Sequence, residues 1–355
     1  MPNDKPALRA YQPLLPENLA EAGQAANEIA ARYRFEDYRQ RHAIQTVRRQ
    51  VADLALFVEF LNTLGVKVGA LSQEPAAWSG ITWGLVESFV KWQLREGYAL
   101  PSVNVRLSTI KTYSRLAFQA GTLPAQEYAL IRAVQGYGRH QQPRVESRRS
   151  VHRVGLKKET PVHISPEQAR ALKNQPPTPQ GCRDGLLLCL LLDHGLRAGE
   201  AAGLGVDQVD LEEGTLRFYR PKVAKEQTHR LTQDTLAALH AYAACGGLEP
   251  GKPLLRRILK NEQFGQHSMT TRGISLRVEL LGDLLGLEHL SAHDCRHFWA
   301  TSAARHGTDP FVLQEAGGWS SLAMPRRYVE EQAVANLGVK LENGDEDSRE
   351  PDPAG

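Results

Sequence analysis

The sequence predicts a mainly α protein of two domains, with one small β-hairpin or sheet in the second. Three observations lead there. At 355 residues the chain exceeds one ordinary core and suits two, because domains usually run to about 100–200 residues. In most segments apolar residues recur at steps of three and four, the helical period, whereas one region alone carries a convincing strand signal. Between the two patterned halves lies a connector rich in arginine and lysine. With 41% hydrophobic and 23% charged residues, the composition is that of a globular protein and excludes a disordered or fibrous one.

Residues 1–40 are Pro- and Ala-rich, with one helix expected over Glu17–Tyr33, and read as an N-terminal extension. From Ile44, the positions Ile44, Val47, Val51, Leu54, Val58 and Leu61 mark an amphipathic helix ending near Gly65. A second helix is expected from Trp83 to Leu94. A third follows Ser102 as N-cap, with Val105, Ile110, Tyr113, Leu116 and Ala117 toward the core. A fourth starts at Pro124, so residues 41–138 make a four-helix domain. Residues 139–160 form the basic linker.

The second domain is expected over residues 161–332. It opens on Ser165 and Gln168, which have capping-box spacing, with Pro166 in the first turn. A Leu-rich helix, Arg183–His194, is stopped by Gly195. Thr215–Tyr219 and His229–Leu231 read as strands around a turn holding Lys222 and Lys225. Helices return at Gln233–Ala243, Thr271–Leu285, His293–His306 and Asp309–Ala316. Residues 333–355 are acidic and too poor in apolar residues to fold alone, so a disordered tail is expected.

The longest apolar run, Leu186–Leu192, is far short of the ~20 residues of a membrane span, and the first residues lack a hydrophobic signal core. A cytoplasmic, nucleoid-associated protein with no membrane partner is the expectation. The four cysteines, Cys182, Cys189, Cys245 and Cys295, form no CxxC pair, so neither a disulfide framework nor a cysteine metal site is expected. A formal net charge of +3 with pI near 8.6 is a weak bias. Its distribution is more telling: Arg144, Arg148, Arg149, Arg153, Lys157 and Lys158 crowd the linker, opposed there by Glu146. Such a run suits contact with DNA phosphates, where counterion release supplies affinity. The alternative is a solvated linker.

Three stretches carry candidate chemistry: Gly195-Leu196-Arg197-Ala198-Gly199-Glu200, His293-Asp294-Cys295-Arg296-His297, and Gly317-Gly318-Trp319 with Tyr328 nine residues on. His293 and Arg296 share a helix face about 5–6 Å apart at Cβ. A guanidinium gives a phosphate two parallel hydrogen bonds and stays charged, and donors prepared for the charge on the non-bridging oxygens are the main source of catalysis in phosphoryl transfer. Arg197 and Arg296 fit that role, and Tyr328 would attack. A phenol with pKa near 10 needs a base or a cationic site, and His293 is the candidate, able also to donate to a non-bridging oxygen. The departing sugar oxygen needs a proton, which Lys222 or Lys225 could deliver.

These stretches resemble the motifs of the tyrosine recombinase, or phage integrase, family. GLRAGE around Arg197 is similar to its first motif, SAHDCRHFWAT around His293 and Arg296 to its second, and GGWSSLAMPRRYV to its third. The resemblance spans about Ser165 to Tyr328, and more loosely the four-helix region, similar to the family's core-binding (SAM-like) domain. It implies a two-domain clamp on duplex DNA and a 3′-phosphotyrosine intermediate, without cofactor, metal or ATP. It further implies double-stranded attachment sites, a homotetramer on synapsed DNA, and accessory directionality factors. By the same resemblance Trp319 contacts the scissile phosphate and packs beneath the tyrosine, Glu200 supports the site, and Lys222 is preferred over Lys225 as the hairpin lysine. Met324-Pro325 departs from the family pattern, and Pro325 is expected to break the helix before Tyr328.

Taken singly, each residue has a plainer reading: Tyr328 and Trp319 as core, Arg197 as a cap or ion pair. A rival site uses His293 and His297, four apart with Asp294 between, which resembles a zinc-hydrolase helix, although Asp is shorter than the usual Glu and no third ligand is evident. A catalytically inactive DNA-binding relative and a type IB topoisomerase-like activity are the remaining alternatives.

Overall fold

The computed structural model describes residues 19–138, 140–151 and 161–330. The chain divides into two compact units, Met1–Lys158 and Glu159–Gly355. Arg153, Lys157, Lys158 and the acidic residues 333–355 lie outside the described residues.

The first unit contains helices α1 (Leu19–Gln40), α2 (Ile44–Thr63), α3 (Trp83–Arg95), α4 (Leu100–Gln119), α5 (Ala125–Ala133) and α6 (Gln142–Glu146). Its core joins Leu54, Phe57, Phe60 and Leu61 of α2 to Phe89 of α3 and to Ile110 and Tyr113 of α4. Reading residues up to 40 as an extension is corrected here: α1 runs past Tyr33, and Phe35 is 1% exposed, its ring edge-on to Tyr113 at 5.4 Å. Ile44 and Val51 are exposed, because the buried stripe of α2 is rotated toward Gln50, Asp53 and Leu54. Asp53 is satisfied there by the Thr109 hydroxyl at 2.7 Å. Helix α4 begins at Leu100, ahead of Ser102; Pro101 stands in its first turn, where a missing N–H costs nothing, and Val105 is exposed.

Within the connector, Arg144 and Arg148 are exposed. Arg149 is not the phosphate contact expected of it. Its side chain is 8% exposed and ties Glu146 at 3.0 Å to the Tyr98 carbonyl at 2.7 Å.

The second unit is built on α8 (Pro179–Leu192), buried from Gly181 to Leu192 and apolar on nearly every side, as a central helix must be. Before it, α7 (Pro166–Lys173) starts with the expected Ser165–Gln168 capping box. After it come α9 (Ala198–Ala202), strands β1 (Val209–Asp210), β2 (Thr215–Arg220) and β3 (Lys225–Arg230), and α10 (Gln233–Ala244). A two-stranded sheet of β4 (Arg256–Ile258) and β5 (Phe264–Ser268) precedes α11 (Thr271–Asp283), α12 (Ala292–Arg305), α13 (Pro310–Gly317) and α14 (Ala323–Glu330). Strand β2 pairs antiparallel with both β1 and β3, in a register that sets Arg220 opposite Lys225.

Four expectations for this unit need correction. Strand β3 starts at Lys225, so Lys225 belongs to the strand and Lys222 alone to the turn; KEQTHR has no apolar residue to betray a strand and is held by pairing with β2. The β4–β5 hairpin was not expected, since neither strand shows apolar alternation. Cys182 of α8 and Cys245, which caps α10, are disulfide-linked across 63 residues, a pairing made by the packing of two helices and not by motif. Pro325 does not break α14; it is the third residue of that helix, within the first turn, where backbone N–H groups have no intrahelical partner to lose.

Candidate active site

Gly195 ends the α8 turn at φ +60°, a left-handed conformation suited to glycine, with its Cα against the Trp299 indole. That reversal places Arg197 at the N-cap of α9, where Glu200 binds it twice: Oε2 accepts from the Arg197 backbone N–H at 2.8 Å and Oε1 from Nη1 at 2.6 Å. A further donation runs from Nη2 to the Gly318 carbonyl at 3.5 Å. The Arg197 side chain keeps 28% of its surface exposed, so it can still meet a ligand.

Arg296, on α12, is buried. Its guanidinium donates to the carbonyls of Gly195 and Gly317 and lies over the Trp319 ring, 4.5 Å from the centroid. Burial first, and then the Arg197 and Arg220 charges, pulls its pKa down to about 9, and these three guanidiniums share one carboxylate, Glu200. An anion entering would relieve that. Around Glu200, burial pushes the carboxyl up, but the Arg197 backbone N–H and the Arg220 and Arg197 guanidiniums outweigh it and hold the pKa below the usual range.

Trp319 follows Gly318, the left-handed C-cap of α13. Its ring stacks on Trp299 at 6.0 Å and meets the Tyr328 ring at 5.8 Å. Tyr328, on α14, is 2% exposed, with His297 of α12 edge-on at 4.9 Å. Arg197, Glu200, Arg296, Trp319 and Tyr328 are thus one contact network. Lys222 joins Trp319 in lining a cleft of about 290 Å³, along with Lys225, Glu315 and Gly318. Lys225 is ion-paired to Glu315. His293 is exposed on the first turn of α12.

Asp294 is turned away from any His293–His297 ligand set. It forms the Ser291 capping box, accepting from the Ser291 N–H at 2.9 Å, and takes the Val162 N–H at 3.0 Å. Among the described residues no group of three His, Cys, Asp or Glu side chains could hold a metal ion. His194 is buried and His229 half-buried against it, and burial pulls them down to about 3 and about 4.

Two members of the network were missed at the sequence level. His297 enters the sequence reading only as a rival metal ligand, yet its ring packs on Tyr328. Arg220 had no role at all. It is fully buried, donating to Glu200 Oε2 at 2.7 Å, to the Ala316 carbonyl at 2.7 Å and to Gln227. A signal existed: alternation along TLRFYR sets Leu216, Phe218 and Arg220 on one face, and an arginine on the buried face of a strand demands partners.

Residues 163–334 match the phage integrase family. The tyrosine recombinase XerD of Pseudomonas aeruginosa is 27% identical over 256 residues, 70% of this chain and 77% of that protein. XerD of Proteus mirabilis is 26% identical over 281 residues, 76% of this chain and 81% of that protein. Among solved structures, a lambda integrase dimer bound to a COC′ core site covers 90% of this chain and 83% of its own at a TM-score of 0.58 and 13% identity. At that identity the likeness is one of fold.

Proposed function

Because the chain belongs to the phage integrase family of tyrosine recombinases, we propose that it is a site-specific DNA recombinase acting through Tyr328. The observation that carries this reading is the contact network itself: two guanidiniums, Arg197 and Arg296, meet the turn carrying Trp319, and Trp319 touches the Tyr328 ring.

The scissile phosphate takes hydrogen bonds from Arg197, Arg296 and the Trp319 indole N–H. Tyr328 Oη attacks phosphorus, a 3′-phosphotyrosine bond forms and the bond to the 5′ oxygen breaks. His293 accepts the phenol proton, and Lys222 gives one to the departing oxygen, leaving a 5′-hydroxyl. That hydroxyl attacks a partner strand's phosphotyrosine and the protons return. One ester replaces another, so neither ATP nor a metal enters the balance. With Tyr328 2% exposed, α14 has to move relative to α12 before Oη reaches a phosphate. Exchange between two duplexes needs four such sites, hence a homotetramer on DNA. Arg144 and Arg148 suit backbone contacts, as do Arg153, Lys157 and Lys158 by charge. Accessory factors would bias direction.

The test incubates the protein with a pool of nicked duplexes carrying candidate attachment sites, traps adducts in detergent and maps the linked residue and base. A 3′ adduct on Tyr328 is expected, lost in Tyr328→Phe while DNA binding persists. Arg197→Ala or Arg296→Ala should slow adduct formation about 10²–10³-fold, the usual cost of one donor to a developing charge. An adduct surviving in Tyr328→Phe would move the nucleophile elsewhere. Relaxation of supercoiled DNA without synapsis would make the activity that of a type IB topoisomerase, and binding with no adduct that of an inactive relative.

A further inference from the structure

Arg220 is a fully buried cation on the last residue of β2, two residues before Lys222, and nothing in the chemistry above uses it. Burying a guanidinium is costly unless its donors are satisfied. Here they are satisfied by groups from three separate segments. Nη1 reaches Glu200 Oε2 on α9 at 2.7 Å, Nη2 the Ala316 carbonyl near the end of α13 at 2.7 Å, and Nε the Gln227 amide oxygen on the facing strand. Below it the Phe218 ring lies 4.8 Å from the guanidinium carbon. Above, Gly318 approaches so closely that a Cβ there would fall 2.3 Å from Arg220 Cδ.

Each of those segments bears a group of the proposed site. Glu200 is the carboxylate that holds Arg197. Ala316 is followed by Gly317, whose carbonyl takes Arg296, and by the Trp319 turn. The β2–β3 turn, Pro221–Ala224, carries Lys222 and is exposed except at half-buried Val223, and Arg220 stands opposite Lys225 at its base. The outer tie across that base is Lys225 to Glu315, a pair exposed to water and so worth little. The buried ties are Arg220 and its partner Gln227, whose Nε2 donates to the Glu315 carbonyl, and Arg220 alone also reaches Glu200.

We propose that Arg220 is a positioning residue that pins the Lys222 turn to the Arg197–Glu200 pair and to the α13 end, so that the proton donor meets the departing 5′ oxygen in register. This rests on the recombinase reading and on Lys222 as the donor. A lysine cannot replace it, having one nitrogen where three directions must be spanned. Loss of the tie misplaces the donor by an ångström or so, for which a rate loss of about 10²-fold is typical.

The experiment uses the full chain and the nicked duplex that yields the wild-type adduct, made with either oxygen or sulfur at the 5′ bridging position. A thiolate, with parent pKa near 8.5, leaves without a proton donor. Wild type, Lys222→Ala, Arg220→Met and Arg220→Lys are compared in single-turnover cleavage. Both Arg220 variants should slow the oxygen substrate, Arg220→Met by about 10²-fold, and recover to within about threefold of wild type on the sulfur substrate, as Lys222→Ala does. In hydrogen exchange without DNA, the Val223 amide, which donates to the Arg220 carbonyl at 3.2 Å, should exchange about tenfold faster in both variants. If Lys222→Ala is not rescued by sulfur, the donor assignment fails. If it is rescued and Arg220→Met and Arg220→Lys are not, or if they cleave oxygen substrate at the wild-type rate, the positioning role is overturned. Unchanged exchange at the Val223 amide overturns it without any DNA, and absence of a wild-type adduct sinks the recombinase reading instead.

Discussion

Gly195→Ala separates two reasons for a glycine before Arg197. Gly195 sits at φ +60°, and an added Cβ would lie 2.3 Å from Trp299 Cε3 and 2.5 Å from Cδ2. The indole has little room to yield, since it stacks on Trp319 at 6.0 Å and lies 5.8 Å from the Arg296 guanidinium carbon. Gly286 is the control: it has φ +72° and nothing within 4 Å of its would-be Cβ. Left-handed backbone costs an L-residue about 1 kcal/mol at either position. Overlap with a packed ring adds about 1–3 kcal/mol at Gly195 alone, so Gly286→Ala should lose about 1 kcal/mol and Gly195→Ala about 2–4 kcal/mol. Urea denaturation followed by tryptophan fluorescence reads the difference. Because the Gly195 carbonyl receives Arg296, the same variant, still folded without urea, should form adduct at least about tenfold more slowly. Equal midpoints for the two variants would refute the close approach as the reason for this glycine.

Acid should destabilise the fold well before its carboxylates titrate. His194 and His229 are pulled down to about 3 and about 4 by burial from the ordinary 6.5, so the unfolded chain binds two protons that the folded chain refuses. Their contribution is complete above pH 6.5 and is lost on acidification, by about 4 kcal/mol in all at pH 5. A urea midpoint that is the same at pH 7 and pH 5 would show the two rings to be open to solvent. Thiol titration tests the Cys182–Cys245 link. Protein unfolded without reductant should show two thiols, from buried Cys189 and Cys295, and four after reduction. Four before reduction would exclude the link.

How much of the fold was legible follows from where apolar residues carry the structure. Helix α8 was plain, because a helix buried from Gly181 to Leu192 must be written in leucine. The Ser165 capping box was plain too, since two hydrogen bonds at fixed spacing require particular side chains. The β4–β5 hairpin and the start of β3 were not, because backbone pairing holds these strands and leaves little pattern in RRI, FGQHS or KEQTHR. For α2 the period was right and the phase only in part: Leu54 and Leu61 are buried as expected, but Ile44 and Val51 are exposed while Gln50 and Asp53 are buried. A polar side chain with an internal partner, such as Asp53 with Thr109, defeats any reading that equates burial with hydrophobicity.

The candidate site divides along the same line. Arg197, Arg296, Trp319 and Tyr328 were legible by type, order and spacing, and the structure gathers them around the Gly317–Trp319 turn. Arg220 was not, because its three partners lie 7 to 96 residues away in sequence and no local spacing can encode such a set. Pro325 shows the converse error, since a rule about helix interiors was applied to a residue in the first turn of α14. Its consequence is mechanical. With Pro325 in its first turn and Tyr328 two residues from its end, α14 is eight residues long, its tyrosine packed on α12 and Trp319. Shifting so short an element breaks few backbone hydrogen bonds of its own, and its cost lies mainly in lost burial of the Tyr328 ring, about 1.5–3 kcal/mol on the scale of one large side chain. On the proposed recombinase reading, phosphate hydrogen bonds to Arg197 and Arg296 are of a size to offset that, so DNA bound at the two guanidiniums would bring Tyr328 out.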